Sequence, residues 1–452
     1  MHILVVNGSP KGENSITLQT ALYLEKRYPE HSFEVLHAGH RIKALEKDFS
    51  PAMKALEVAQ LVLFAYPVYT FIAPCQLHRF IELMKEHSAP VAGKYMSQIS
   101  TSKHFYDVTA HRYVEENAQD MGMKALRGLS ADMDDLLTEK GQREAELFFE
   151  HLLWSMEQGY WESVLPKPEA CAPVPATMPE AAAAPEDKPG DVVIVADLAE
   201  GDEQLARMVE RFRRVLGRKT RLVNLREYPF KGGCLGCFNC ATDGVCIYKD
   251  GFDEFLRKQV QSGEAIVYAF TIRDHSMGAL FKMYDDRQFC NGHRTVTVGM
   301  PVGYLVSGAY SVEENLRTIV EGRSQVGQNP LAGVATDEAD TDRAIDRMAA
   351  TLERMLSVGY RQPKNFLGVG GMKIFRDLIY QMQGMMKADH RFYKQHGEYD
   401  FPQKNKGLIL KMYLVGALLS SPKIKAKMGN KMNEGMLAPY RKVLEGIGSR
   451  KG

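Results

Sequence analysis

Residues 2–28, HILVVNGSPKGENSITLQTALYLEKRY, read as strand, loop and helix in direct succession, and that succession decides the fold. HILVVN is an apolar run without polar alternation, which suits a parallel strand buried on both faces. SITLQTALYLEKRY places its apolar residues at helical spacing. The loop between them, Asn7 to Thr17, is small, hydroxylated and basic, and runs through Gly8 and Pro10. Backbone N–H groups there can approach an anion, and the positive end of the following helix favours a phosphate. Ser9, Asn14, Ser15 and Thr17 offer side-chain donors, and Lys11 offers a charge. Neither G-x-G-x-x-G nor G-K-[ST] occurs, so the loop is neither a dinucleotide fingerprint nor a Walker loop. The alternative reading is a merely well-capped helix.

Outward from this unit the alternation continues. FEVLHA (33–38) reads as a strand, AQLVLFAYPVY (59–69) as a buried strand ending in a loop, and QLHRFIELMKE (76–86) as a helix. YMSQIST (95–101) is a fourth strand, with a fifth near GMKALRGLS (122–130). Alternating strands and helices predict a parallel sheet covered on both sides. Residues 166–190 are rich in Pro and Ala and read as a linker, with Cys171 an idle thiol inside it. The order then restarts: DVVIVADL, EQLARMVERFRRVLG, TRLVNLRE, FDEFLRKQV, EAIVYAF, GALFKMYDDRQF and PVGYLVSG. The expected fold is therefore α/β, with two doubly wound parallel-sheet domains in tandem. Their bounds are 1–165 and 191–361, followed by a basic, mostly helical extension over 362–452.

The totals agree with that division. A chain of 452 residues exceeds one ordinary core, and 45% hydrophobic with 25% charged residues suits a globular protein. The net charge of +1 hides an asymmetry, because from Gln403 onward eleven Lys or Arg face only Glu434 and Glu445. No secretory leader is expected, and no uncharged run approaches the ~20 residues that cross a bilayer. A reducing cytosol is expected, where disulfides rarely persist. The basic tail could lie on an anionic membrane, but a helix packing its Met and Leu face on the core is the preferred reading. No nucleic-acid motif occurs.

Two further loops share the first loop's edge of the sheet, the carboxyl edge where open parallel sheets bind ligands. Pro67, Val68, Tyr69 and Thr70 form a rigid, partly aromatic loop able to lie against a flat ring, and Ser100, Thr101 and His104 follow the fourth strand. Phosphate loop, aromatic loop and polar loop are what flavin mononucleotide (FMN) requires.

These motifs carry a resemblance. Gly8-Ser9-Pro10-Lys11, Asn14-Ser15-Ile16-Thr17, Pro67-Val68-Tyr69 and Pro74…Leu77…Phe80-Ile81-Glu82 resemble the flavodoxin-like NAD(P)H-dependent FMN reductase family over residues 1 to about 150. The chain departs from that pattern with His78 where Lys is usual, and with Phe71-Ile72 in place of small residues. The resemblance implies a flavodoxin-like domain, FMN as cofactor and a reduced nicotinamide as electron donor.

GGCLGCFNCATDGVC (232–246) gathers four of the seven cysteines as C-x2-C-x2-C-x5-C. Disulfides, zinc and an iron–sulfur cluster compete for Cys234, Cys237, Cys240 and Cys246. Zinc sites usually pair two knuckles or add histidine, whereas recurrence at every third position suits a [4Fe–4S] cubane, as in ferredoxins. Zinc and a metal-free motif stay open as alternatives. The segment resembles the compact cysteine motif of the iron-sulfur flavoproteins, a branch of the same superfamily. Lys282, Asp286 and Arg287 in LFKMYDDR resemble the L-K-x-[FW]-x-D-R helix of these reductases.

The second unit's counterpart of the phosphate loop, ADLAEGDEQL, carries Glu200, Asp202 and Glu203, which repel a phosphate, so no second FMN is expected. In iron-sulfur flavoproteins one subunit's cluster faces another's flavin, and the resemblance implies that this chain fuses such a pair. The expected function is an oxidoreductase passing electrons between NAD(P)H or a ferredoxin-type carrier, FMN and a cluster, with a small-molecule or protein acceptor. A plain flavin or quinone reductase and a non-enzymatic carrier or redox sensor are the alternatives. A homo-oligomer is compatible with either, and no catalytic residue is assigned. Cys75 and Cys290 read as buried small hydrophobes, and Arg273 and His275 as surface or structural groups. MKADHRFYKQHGEYDFPQK (386–404) reads as a cap or recognition element, or as an ordinary helix end.

Overall fold

In a computed structural model that describes residues 1–163, 168–179, 188–400, 405–423, 437, 440–441 and 443–445, the chain builds two parallel sheets. The front half runs β1 (His2–Asn7), α1 (Ile16–Arg27), β2 (Ser32–Leu36), α2 (Ile42–Leu45), α3 (Ser50–Val58), β3 (Leu61–Pro67), α4 (Cys75–Glu86) and β4 (Tyr95–Ser102). It continues with α5 (Asp107–Asp120), β5 (Lys124–Ala125), β6 (Leu129–Asp132) and α6 (Glu139–Gln158). The sheet order is β2-β1-β3-β4-β5, with β6 also pairing β4, so the expected fifth strand is two short ones. Arg127 and Gly128 fall between them, where a Cβ on Gly128 would stand 2.7 Å from the Gln98 carbonyl oxygen.

The rear half repeats the plan. It comprises β7 (Val192–Ala196), α7 (Glu203–Val215), β8 (Thr220–Asn224), α8 (Phe252–Phe255), β9 (Ala265–Thr271), α9 (Gly278–Arg287) and β10 (Val302–Ser307). It closes with α10 (Glu314–Gly327), β11 (Leu331–Thr336) and α11 (Thr341–Val358), in the sheet order β11-β10-β9-β7-β8. Both halves are thus flavodoxin-like. Each central strand is buried along nearly its whole length, as Ile3–Val6 and Val192–Ala196 show, because helices cover both faces. Part of the Pro/Ala-rich stretch docks on the rear half. Val174 N–H donates to the Asp337 carbonyl (2.6 Å), Thr177 N–H to Asp342 (2.9 Å), and Ala176 is buried. Residues 166–167 and 180–187 of that stretch lie outside the described residues.

The halves meet through α4 and α9, and they do so symmetrically. Neither helix has a side-chain cap of its own at its N-terminus. Asp286 on α9 accepts the Cys75 N–H at the start of α4 (2.8 Å), and Glu82 on α4 accepts the Ala279 N–H at the start of α9 (2.7 Å). Each helix therefore satisfies the other's open amide. The loops ahead of the helices repeat as well, Tyr69 pairing with Ile72 and Arg273 with Ser276 across two-residue turns. His275 bridges the halves at a second point. Its ring meets Asp120 of α5 (2.8 Å) and Glu313 (2.9 Å), while Lys85 binds Asp120 (3.0 Å) and Asp274 (2.9 Å).

Beyond the sheets lie α12 (Phe366–Gln381) and α13 (Lys387–Gln395), and the chain divides into compact units at Tyr393. In the second unit, α14 (Lys406–Leu419) has one charge, Lys411, after its first residue. Its Leu410, Tyr413 and Leu414 are exposed, and residues 401–404 and most of 424–452 of the expected basic tail lie outside the described residues. No helix among the described residues is long and apolar enough to cross a membrane.

Candidate functional site

The loop after β1 is shaped by Asn7. Its Nδ2 donates to the Gly12 carbonyl (2.9 Å), and its Oδ1 accepts the Ser9 N–H (3.2 Å). Gly12 takes φ +58°, a conformation only glycine adopts at little cost. Ser15 caps α1 by accepting the Leu18 N–H (3.3 Å), which leaves the first-turn amides of Ile16 and Thr17 without intrahelical partners. Thr17 Oγ1 lies 2.5 Å from Thr101 Oγ1, tying α1 to β4. Lys11 extends its ammonium over the Phe238 ring of the rear half, 5.8 Å from the centroid.

The aromatic loop after β3 turns back on itself at Thr70 (φ 43°) and Phe71 (φ 73°), two non-glycine residues in the left-handed region. Such strain persists only where neighbours fix it. Here Tyr69 and Ile72 exchange backbone hydrogen bonds (2.8 and 3.1 Å), and Thr109 Oγ1 donates to the Phe71 carbonyl. Lys282 Nζ reaches from α9 to the Tyr69 carbonyl (2.8 Å). Lys282 also pairs with Asp286, and all three groups are buried. Burial lifts the Asp286 carboxyl to about 6 against the pull of Lys282. Burial also keeps the Tyr69 phenol protonated, with Cys234 and Asp286 nearby adding to the effect. His78, the departure from the usual Lys, stacks on Tyr113 at 4.0 Å, and burial holds its pKa well below the ordinary range.

The cysteine segment lies directly against these loops. Gln76 Nε2 on α4 donates to the Cys234 carbonyl (3.1 Å). Gly236 has φ +59°, and a Cβ there would stand 1.9 Å from Tyr69 Oη. Gly236 N–H donates to Cys234 Sγ (3.4 Å), and the Cys240 thiol donates to the Phe289 carbonyl (3.1 Å). Asp243 accepts the Val245 N–H (2.8 Å), making the turn that returns Cys246. Arg287 clamps the segment, binding Asp250 with two nitrogens (2.9 and 2.7 Å) and the Gly232 carbonyl (2.9 Å). Burial raises the Cys234 thiol well above its usual range and the Cys240 thiol to about 11, whereas Cys237 is exposed.

A single cavity of about 380 Å³ joins the two regions. Its wall includes Ser9, Lys11, Ser15, Thr17, Pro67, Val68, Tyr69, Thr70 and Thr101 from the front, together with Cys234, Cys237, Cys240 and Cys246 from the rear. Five expected residues lie off that wall. Gly8 packs on Leu77, Pro10 is buried, and Asn14 is exposed on a short 3-10 turn. Ser100 turns to His111 (2.7 Å), and His104 binds Asp107 (2.9 Å). The wall also takes Ser102, Lys103 and Phe105 beside the polar loop, and Phe289, His293, Phe375 and Asp389 from later in the chain. The rear counterpart of the phosphate loop is not on it. There Asp202 caps α7 and accepts the Thr271 hydroxyl (2.5 Å), while Asp197 pairs with Arg226 (2.7 Å).

Residues 1–128 match the family model described as NADPH-dependent FMN reductase. No curated protein matches the chain. Among solved structures the chain is similar to an NADH:FMN oxidoreductase in its apo form, with 19% identity over 36% of this chain and 91% of that one and a TM-score of 0.30. It is also similar to an FMN-dependent NADH-azoreductase from Bacillus anthracis str. Ames Ancestor in complex with FMN (14% identity, 34% and 99% covered, TM-score 0.27). A third is an NAD(P)H:quinone oxidoreductase from Methanothermobacter marburgensis (11% identity, 36% and 99% covered, TM-score 0.29). Residues 1–128, with their strand order, anion-ready loop and aromatic turn, thus match the NADPH-dependent FMN reductase family model, and a second sheet of the same strand order follows them.

Proposed function

We propose that this chain is an FMN-dependent NAD(P)H oxidoreductase that moves electrons within one polypeptide. FMN would be held by the front loops and an iron–sulfur cluster by Cys234, Cys237, Cys240 and Cys246. The observation that carries this reading is the shared cavity, whose wall holds both the phosphate and aromatic loops and all four cysteines. FMN would supply acceptance of a hydride and release of single electrons, which suits a cluster that takes one at a time.

The residues fit the flavin. Ser9 and Thr17 hydroxyls and the open amides at the start of α1 are phosphate donors, Lys11 offsets phosphate charge, and Tyr69 and Phe105 give flat walls. For the thiol set the support is the spacing, since cysteines at every third position suit a cubane better than the paired knuckles usual for zinc. The N–H···S bond from Gly236 works against the burial that raises the Cys234 thiol. The donor is a reduced nicotinamide or a ferredoxin-type carrier, the acceptor a small molecule or protein, and the setting a reducing cytosol.

Flavin and metal analysis of anaerobically purified full-length protein tests this reading. About one FMN and about four iron atoms per chain are expected, and Cys240→Ser should lose iron but keep flavin. Flavin with zinc, or flavin with no metal, would reduce the protein to a plain flavin reductase.

A further inference from the structure

Ring contacts run unbroken around one end of the cavity. Tyr69 meets Phe289 at 5.8 Å between centroids, Phe289 meets His293 at 6.2 Å, and His293 meets Phe375 at 4.6 Å. Phe375 meets Phe105 at 4.4 Å, and Phe105 meets Phe71 at 5.0 Å. These rings come from the front loops, from the rear segment after α9, and from α12 in the C-terminal extension.

The same end has a polar pole. Asp389 of α13 is 1% exposed, and its carboxylate stands 3.5 Å from His293 Nδ1 and 3.6 Å from Arg294 Nε. Both separations are too long for good hydrogen bonds. Asp389 Oδ2, His293 Nδ1 and Thr295 Oγ1 are all buried without a hydrogen-bond partner, and all three residues line the cavity. Unmet buried polar atoms are costly unless a ligand or water satisfies them. The surrounding backbone is built to hold this carboxylate. Gly292 (φ +61°) has no Cβ where one would stand 2.3 Å from Asp389 Oδ1, and Tyr393 Oη donates to the His293 carbonyl (3.1 Å), fastening α13 to the loop. Arg294 is held by the Asn291 (2.7 Å) and Cys290 (3.1 Å) carbonyls, so it already offsets the charge of Asp389. What the carboxylate oxygen lacks is a neutral N–H, and what the Thr295 hydroxyl lacks is an acceptor.

We propose that this end of the cavity is a binding subsite for a planar aromatic ring bearing a carboxamide or lactam. The ring lies among Phe289, His293 and Phe375, its N–H donates to Asp389 Oδ2, and its carbonyl accepts from Thr295 Oγ1. The subsite rests on the functional reading above, because it adjoins Tyr69 and Phe105, which would wall the flavin, and its Phe289 carbonyl meets Cys240. All five residues lie outside the 128 residues that match the reductase family. The ligand is either the nicotinamide head of a reduced dinucleotide or an aromatic amide that accepts electrons.

The test is calorimetric titration of the full-length protein, with and without added FMN, using benzamide and methyl benzoate. The two share a ring and a carbonyl, but only benzamide carries N–H. Benzamide should bind at least tenfold more tightly than methyl benzoate in both states, without releasing FMN. Phe375→Ala should weaken both about tenfold, and Asp389→Asn should shrink the preference below threefold. Equal affinity of the unaltered protein for the two compounds would overturn the subsite even if neither variant folds. So would release of FMN by benzamide, or unchanged binding in Phe375→Ala. Competition by oxidised NADP assigns the subsite to the nicotinamide head, and its absence assigns it to an acceptor. Failure of FMN to bind would defeat the flavin reading while leaving the comparison of the two compounds intact.

Discussion

Ser15 and Asp202 occupy the same station in the two halves, each capping the first helix after the first strand. Ser15 accepts the Leu18 N–H at 3.3 Å, and Asp202 accepts the Leu205 N–H at 3.3 Å. The helices gain the same thing. The ligand sites do not, because the second oxygen of Asp202 takes the Thr271 hydroxyl and brings a negative charge to the place where a phosphate would sit. Ser15 brings none. Helix capping and anion binding are therefore separable at one position, since the rear cap sets a carboxylate where the front cap sets a neutral hydroxyl.

The contact that joins the halves can be broken hardest at Asp286. Asp286→Ala takes the nearer carboxylate from the fully buried Lys282 ammonium, leaving Asp285 at 3.9 Å, and opens the cap of α4, and should cost about 3 kcal/mol in urea unfolding. Transplanting the rear carboxylate to the front sharpens the comparison of loops. Ser15→Asp should leave stability within about 0.5 kcal/mol, since Asp caps as well as Ser. FMN affinity should nevertheless fall at least roughly hundredfold, given about 4 kcal/mol of like-charge repulsion at ~4 Å. Flavin retained on gel filtration reads this directly.

His275 gives the pH dependence. Burial opposes its charge, but hydrogen bonds to Asp120 and Glu313 outweigh burial and raise its pKa to about 9. A raised histidine contributes fully below its ordinary value near 6.5 and loses that contribution as pH climbs through 9, up to about 3 kcal/mol. Thermal stability should therefore decline between pH 6.5 and 9, and His275→Gln should flatten that slope. The smallest effect belongs to the other half of the reciprocal cap. Glu82 contributes an acceptor to Ala279 without a buried cation depending on it alone, so Glu82→Ala should cost only about 1 kcal/mol.

The strands were legible because burial on both faces writes itself as unbroken apolar runs, and HILVVN and DVVIVADL mark β1 and β7 closely. The candidate site was legible where a loop's chemistry follows from its place at the sheet edge, as with Lys11, Thr17 and Tyr69. It was illegible where side-chain direction decides. Ser100 and Thr101 are neighbours on one strand and point to opposite faces, so only Thr101 reaches the cavity. Asn14 sits on a turn whose handedness no spacing records. Phe375 and Asp389 arrive through docking of helices remote in sequence, and only Asp389 had an early mark, the polar, aromatic run from Met386 onward.

In a symmetric homodimer every substitution is made twice and each subunit can drift away on dilution. Here Asp286 and Glu82 belong to one chain, so their encounter is intramolecular and independent of protein concentration. A change at one cap need not be mirrored at the other. That licence to diverge is what permits a lysine at 282 opposite a histidine at 78.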